Sequence, residues 1–148
     1  MAAGPGSWTT FVGVQTPPAT PFERFGGHEF FDLLVARFYA GVAEDPQLRA
    51  MYPEDDLGPA AERLQLFLEQ YWGGPTTYSQ ERGHPRLRMR HAPYAIDADA
   101  HDAWLRHMRT ALDEAAAASR MPAEDEAELW DYLTRAALSM VNTYPGPA

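Results

Sequence analysis

An all-α fold is what this sequence predicts, and three observations carry that expectation. Apolar residues recur at offsets of three and four along several segments, no segment alternates apolar and polar residues between hairpin turns, and glycine and proline punctuate the points where the helical periods stop. Four main helices and one long irregular insert account for the chain, with no internal repeat.

Residues 1–21 are rich in Gly, Pro, Thr and Ala, with Phe11, Val12 and Val14 as a small apolar patch, and they read as a flexible extension without a site. The domain is expected over residues 22–144, with 145–148 as a tail. Gly26 and Gly27 mark a turn before the first long helix, in which Phe31, Leu34, Val35, Phe38 and Val42 form one apolar stripe with Tyr39 beside it. Asp45 followed by Pro46 is an N-cap with proline in the first turn, opening a short helix that Pro53 closes after Tyr52. Glu54, Asp55 and Asp56 then read as a solvated turn ahead of the next N-terminus. Pro59 begins a helix that points Leu64, Phe67, Leu68 and Tyr71 inward.

That helix stops at Gly73, Gly74 and Pro75, because glycine ends a helix in a conformation other residues resist and proline forbids its continuation. Residues 73–94 have no sustained apolar period, and connections this long in small domains are usually functional or disordered. Within them Arg86, Arg88 and Arg90 alternate with Leu87 and Met89 just before His91. A short turn there would bury the apolar pair and turn the guanidiniums to an acidic ligand. Asp97 then caps a helix carrying Trp104, Leu105, Met108, Ala111 and Leu112, prolonged by the alanines 115–118. Pro122 with Glu124 and Asp125 opens the last helix, whose Leu129, Tyr132, Leu133, Ala136, Ala137, Met140 and Val141 keep the period.

At 148 residues, with 45% hydrophobic and 12% aromatic residues, the chain is most simply one domain with a real core. A net charge of -9 excludes a general phosphate-backbone binder, whose footprint is a basic face. All the positive charge is arginine, a better fork for carboxylates than lysine. There is no cysteine, so neither a disulfide scaffold nor a thiolate metal site is available. No apolar run approaches the roughly 20 residues of a membrane span, and the N-terminus lacks a basic region followed by an apolar block. A soluble cytoplasmic protein is expected. His28, His84, His101 and His107 give no HExxH or HxxxH spacing, so His91 has no partner for a protein-only metal cage. One imidazole suffices only when the metal arrives already chelated by a macrocycle, which would need a matching pocket; otherwise His91 is a half-exposed bystander.

Four stretches together resemble the truncated haemoglobins, specifically the O-type, group II members. They are FYAGVAEDPQLRAMYPEDDL at residues 38–57, FLEQYWGGP at 67–75, GHPRLRMRHAPY at 83–94, and the DAWL that contains Trp104. The resemblance spans about residues 22–144 and implies a two-over-two helical sandwich around haem b, with the F helix largely replaced by a loop. Carried over residue by residue, it implies that His91 is the proximal iron ligand and that Tyr39, Tyr52 and Trp104 are the distal polar residues. Arg63 and Arg90 match positions resembling propionate partners, with Tyr78 a further candidate. Leu64, Phe67, Leu68, Met89, Tyr94, Ile96 and Met140 are the expected apolar haem walls. Ala60 stands where many globins have a distal histidine, so two hydroxyls and an indole N–H are the donors available to a ligand. The chain departs from the family in its longer start and in Tyr94, where phenylalanine is frequent.

The resemblance implies a protein that binds dioxygen and other diatomic gases and releases them slowly. A second expectation is a haem-dependent redox enzyme that removes nitric oxide or peroxide with an unidentified reductase, and a third is a cofactor-free helical interaction module.

Overall fold

The computed structural model describes residues 19–144; the expectations for residues 1–18 and 145–148 lie outside the described residues. Every regular element among the described residues is a helix. The first, α1 (Pro21–Phe25), opens on a reciprocal cap. Thr20 Oγ1 accepts from the Glu23 amide at 3.1 Å, and the Glu23 carboxylate accepts from the Thr20 amide at 3.0 Å. The Phe22 amide then bonds the Trp72 carbonyl at 2.8 Å, so the described chain starts against the end of a helix fifty residues later.

The long helices follow the periods in the sequence. In α2 (Gly27–Ala43) the stripe Phe31, Leu34, Val35, Phe38 and Val42 is buried throughout. The short α3 (Pro46–Arg49) carries Pro46 in its first turn, and Asp45 Oδ1 caps it by accepting from the Leu48 amide at 3.2 Å. Next comes α4 (Gly58–Tyr71), which ends at Gly73 with φ of 97°, a left-handed value that glycine takes without strain. Asp97 caps α7 (Ala98–Ser119) by accepting from the Ala100 amide at 2.9 Å. The last helix, α8 (Ala123–Met140), has Glu124, Asp125 and Glu126 in its first turn, where carboxylates meet the positive end of the helix dipole.

The α2–α7 contact is the most extensive in the molecule; α4 packs on α2 and α8 on α7, which makes the two-over-two arrangement. Close approach of α2 to α7 depends on Gly41, where an added Cβ would lie 2.6 Å from His107 Nδ1. Phe25, Phe31, Leu34, Phe38, Met108, Leu112, Leu129 and Leu133 form the sealed centre.

Two expectations are corrected. Tyr71 does not point inward: it is the last residue of α4, is 49% exposed, and stacks on Tyr132 with ring centroids 4.0 Å apart. The insert is not irregular throughout, since it holds α5 (Thr77–Arg82) and α6 (Leu87–His91). Each is shorter than the window over which a helical period can be read. Both are held by side chains. Gln70 of α4 donates to Ser79 Oγ at 2.7 Å and accepts from the Ser79 amide at 2.9 Å. Asn142, just beyond α8, accepts from the Ile96 amide at 2.8 Å and donates to the carbonyls of Tyr94 at 2.9 Å and His91 at 3.3 Å.

Candidate functional site

The insert and the long helices enclose a cavity of about 500 Å³, within the usual range of small-molecule sites. Its wall is chiefly apolar, and it receives side chains from α2, α4, α5, α6, α7 and α8 and from the loop after α3.

His91 enters this wall from the end of α6. Its Nδ1 lies 2.7 Å from the Leu87 carbonyl one turn earlier; a carbonyl only accepts, so Nδ1 carries the proton and donates. In the neutral imidazole Nε2 then carries the lone pair, with no partner among the described residues, and it is the atom able to take a metal. Leu87 shares the inward face because residues four apart on a helix lie one above the other. Met89, two residues from each, falls on the far side: it is 61% exposed and is not in the cavity wall. The other expected apolar residues, Leu64, Phe67, Leu68, Tyr94, Ile96 and Met140, all line the cavity.

Tyr39, Tyr52 and Trp104 come together in the same wall. Tyr39 and Tyr52 meet edge to face with centroids 5.6 Å apart. The fully buried Phe38 backs two of the three, with its ring 4.9 Å from Tyr39 and 5.1 Å from Trp104. Burial is the main cause that raises both phenols above the ordinary tyrosine value. At Tyr52 the polar groups of the neighbouring Tyr39 and Trp104 offset part of the burial effect.

Tyr78 of α5 is buried in the wall, packed edge on against Phe67 at 5.7 Å. The Arg82 and Arg90 guanidiniums lie 5.8 and 5.9 Å from its ring. Arg90 is partly committed, donating from Nε to the Pro85 carbonyl at 2.7 Å and from Nη2 to the Arg82 carbonyl at 2.8 Å. Arg63 also reaches the wall, where its Nη2 pairs with Glu54 Oε2 at 2.9 Å. Glu54 is thus more than part of a solvated turn. The turn is itself tied down by Arg49, whose guanidinium donates to the carbonyls of Tyr52, Glu54 and Asp55 at 3.1, 2.7 and 2.9 Å.

The three arginines of the insert do not act alike, because residues 87–91 coil rather than extend. Arg90 turns inward, while Arg86, at a left-handed φ of 46°, and Arg88 are exposed. Sequence reasoning missed Glu54, Arg82, Leu87, His101, Leu133 and Ala136 as cavity residues. Helical spacing was the available signal for most of them: Arg82 is four after Tyr78, Leu87 four before His91, His101 three before Trp104, and Ala136 four before Met140.

Among the described residues no group of three or more His, Cys, Asp or Glu side chains is placed to hold a metal ion. The broad apolar cavity holds two imidazoles, His91 and a His101 whose Nδ1 pairs with Asp102 at 2.9 Å, and has arginines gathered near Tyr78. Those features fit a flat apolar macrocycle with acidic side arms and a metal that needs one protein ligand.

Residues 20–142 match the bacterial-like globin family. The chain is 44% identical over 93 residues to the group 2 truncated hemoglobin YjbI of Bacillus subtilis (strain 168), covering 63% of this chain and 69% of that protein. It is similar in structure to a thermostable hemoglobin from the actinobacterium Thermobifida fusca, with a TM-score of 0.80 and 61% identity over 84% of this chain and 98% of that one. The truncated oxygen-avid haemoglobin of Bacillus subtilis superposes with a TM-score of 0.76 at 39% identity, over 84% of this chain and 100% of that one.

Proposed function

The chain belongs to the bacterial-like globin family, whose members bind haem, and on that premise we propose that it is a group II truncated haemoglobin that binds dioxygen on haem b and releases it slowly. The observation that carries this reading is His91. Its Nδ1–H is spent on Leu87, and Nε2 is left free in a cavity that also holds Tyr39, Tyr52 and Trp104. No described helix is long and apolar enough to cross a membrane, and a cytoplasmic location is part of the proposal.

When bound, haem supplies an iron that takes a diatomic gas as ligand. His91 would hold the group through Nε2, and the Leu87 carbonyl keeps Nδ1 as the protonated nitrogen of the neutral imidazole. Arg82, Arg90 and the Tyr78 hydroxyl meet the acidic side arms, with Arg63 joining them if it leaves Glu54. Leu64, Phe67, Leu68, Tyr94, Ile96 and Met140 line the cavity and would shield the bound group from water. Tyr39, Tyr52 and Trp104 would each offer an O–H or N–H group to the ligand from the same wall. Donors aimed at developing negative charge in a dry pocket hold a ligand that draws electron density, as dioxygen does, and delay its departure.

Rapid-mixing measurement of dioxygen release from the ferrous protein and from Trp104→Phe tests this. One hydrogen bond is worth on the order of 1 kcal/mol, so release should quicken roughly five- to tenfold. Carbon monoxide, which gathers less charge, should be released with a smaller change. Equal acceleration of both gases would show that the indole only blocks the exit.

A further inference from the structure

We propose that the groove on the outer side of α6 is the docking site of an acidic electron-transfer protein, one carrying a flavin or an iron–sulfur centre. This rests on the haem-binding reading above and adds the partner and its place.

The groove is a hollow of about 360 Å³ between α6 and the end of α8, lined by Arg88, Met89, Ala92, Met140 and Asn142 among others. Met140 lines the main cavity as well, so the two spaces share this residue. Asn142, in the floor of the groove, donates to the His91 carbonyl at 3.3 Å. A molecule seated here lies against the backbone of the helix that carries His91.

The surface has the anatomy of an interface, with apolar groups at the centre and cations at the edge. Met89 is 61% exposed, and Leu138, next to the groove-lining Ser139, is 65% exposed. Arg86 and Arg88 are exposed and form no ion pair among the described residues. No acidic residue occurs from Arg82 to Ile96, in a chain whose net charge is -9. This basic segment thus borders an apolar hollow on the outer side of α6, with Arg88 in its lining. Charge complementarity to this basic segment selects a partner with an acidic docking face.

The step it serves is a one-electron reduction. The partner's reduced centre loses one electron, the iron passes from ferric to ferrous, and no bond is made or broken in the protein. Orientation by the arginines sets the encounter rate, which therefore depends on salt.

The test uses full-length, haem-loaded protein in the ferric form, mixed with reduced flavodoxin or reduced [2Fe–2S] ferredoxin. The variant is Arg86→Asp with Arg88→Glu; aspartate tolerates the left-handed backbone at position 86. The expected result is a bimolecular rate that falls with salt in the parent and drops by about tenfold or more at low salt in the variant. Reduction by dithionite and carbon monoxide binding should stay unchanged, which shows that the haem site is intact. Equal rates and equal salt dependence in the two proteins overturn the proposal, as does failure of both donors to reduce the parent. Self-association that the variant abolishes would assign the groove to a second copy, and reduction that requires removal of residues 1–18 would assign it to that segment; either result overturns it. A parent chain that takes up no haem defeats the functional reading itself, which the dithionite and carbon monoxide controls reveal separately.

Discussion

His107 Nε2 lies 2.8 Å from Asp45 Oδ2, joining the middle of α7 to the cap of α3. The other Asp45 oxygen holds the Leu48 amide, so one carboxylate fixes the short helix and anchors it to α7. Both neighbours matter to the cavity, because α3 leads to Tyr52 and α7 carries Trp104 three residues before His107.

Gly41 completes this joint, and we predict that Gly41→Ala destabilises the protein by about 1–3 kcal/mol, the usual cost of overpacking. The added methyl would sit 2.6 Å from His107 Nδ1, and the ring can retreat only by giving up Asp45. Thermal unfolding measures the loss, and an unchanged midpoint would show that the helices separate without strain.

Acid should dissolve the same joint. The His107 hydrogen bond first, and then the Leu48 amide, hold the Asp45 carboxyl below its ordinary value of 3.8. A group whose pKa is lowered by folding stabilises the native state above its unfolded pKa, and loses that contribution as pH falls through the folded value. Asp45→Ala should therefore melt earlier than the parent at neutral pH, and the gap should close as pH falls below about 4. A gap that stays constant down to pH ~2 would mean that the carboxylate charge contributes nothing.

The distal phenols should be insensitive to base. Burial raises both Tyr39 and Tyr52 above the ordinary value of 10.0, so each keeps its proton, and its ability to donate, at neutral and mildly alkaline pH. Dioxygen release should hold steady as pH rises from 7 to about 10. A rise in release rate with a midpoint near 9 or 10 would show a phenol ionising there, and Tyr52→Phe would identify which one by abolishing the step.

The long helices were legible because their stripes, caps and stops are local: Asp45 before Pro46, Asp97 ahead of Trp104, and Gly73 with Gly74 and Pro75 each act within one turn of themselves. His91, Tyr39, Tyr52 and Trp104 were read through the joint family pattern, since their spacing alone says only that they lie on helices. What the sequence hid depends on contacts between distant parts. Glu54 looked like solvated charge until folding brought Arg63 to it at 2.9 Å. Asn142 gave no sign that it would hold the loop at Tyr94 and Ile96. Met89 was placed inward by its neighbours' alternation, but one helical turn in α6 reverses that assignment.

His91 carries the account, and the ferrous absorption spectrum of His91→Gly, recorded with and without added imidazole, tests it most directly. Glycine removes the ligand and leaves a space of the imidazole's own shape beside the Leu87 carbonyl, which donates nothing and so does not fill the vacancy. The account predicts that the variant retains haem at least about tenfold more weakly than the parent, as expected when a bond to the metal is lost. Free imidazole should restore both haem retention and the parent's five-coordinate ferrous spectrum. A His91→Gly protein that holds haem with the parent's affinity and spectrum, without imidazole, would contradict the assignment of His91 and with it the proposed site.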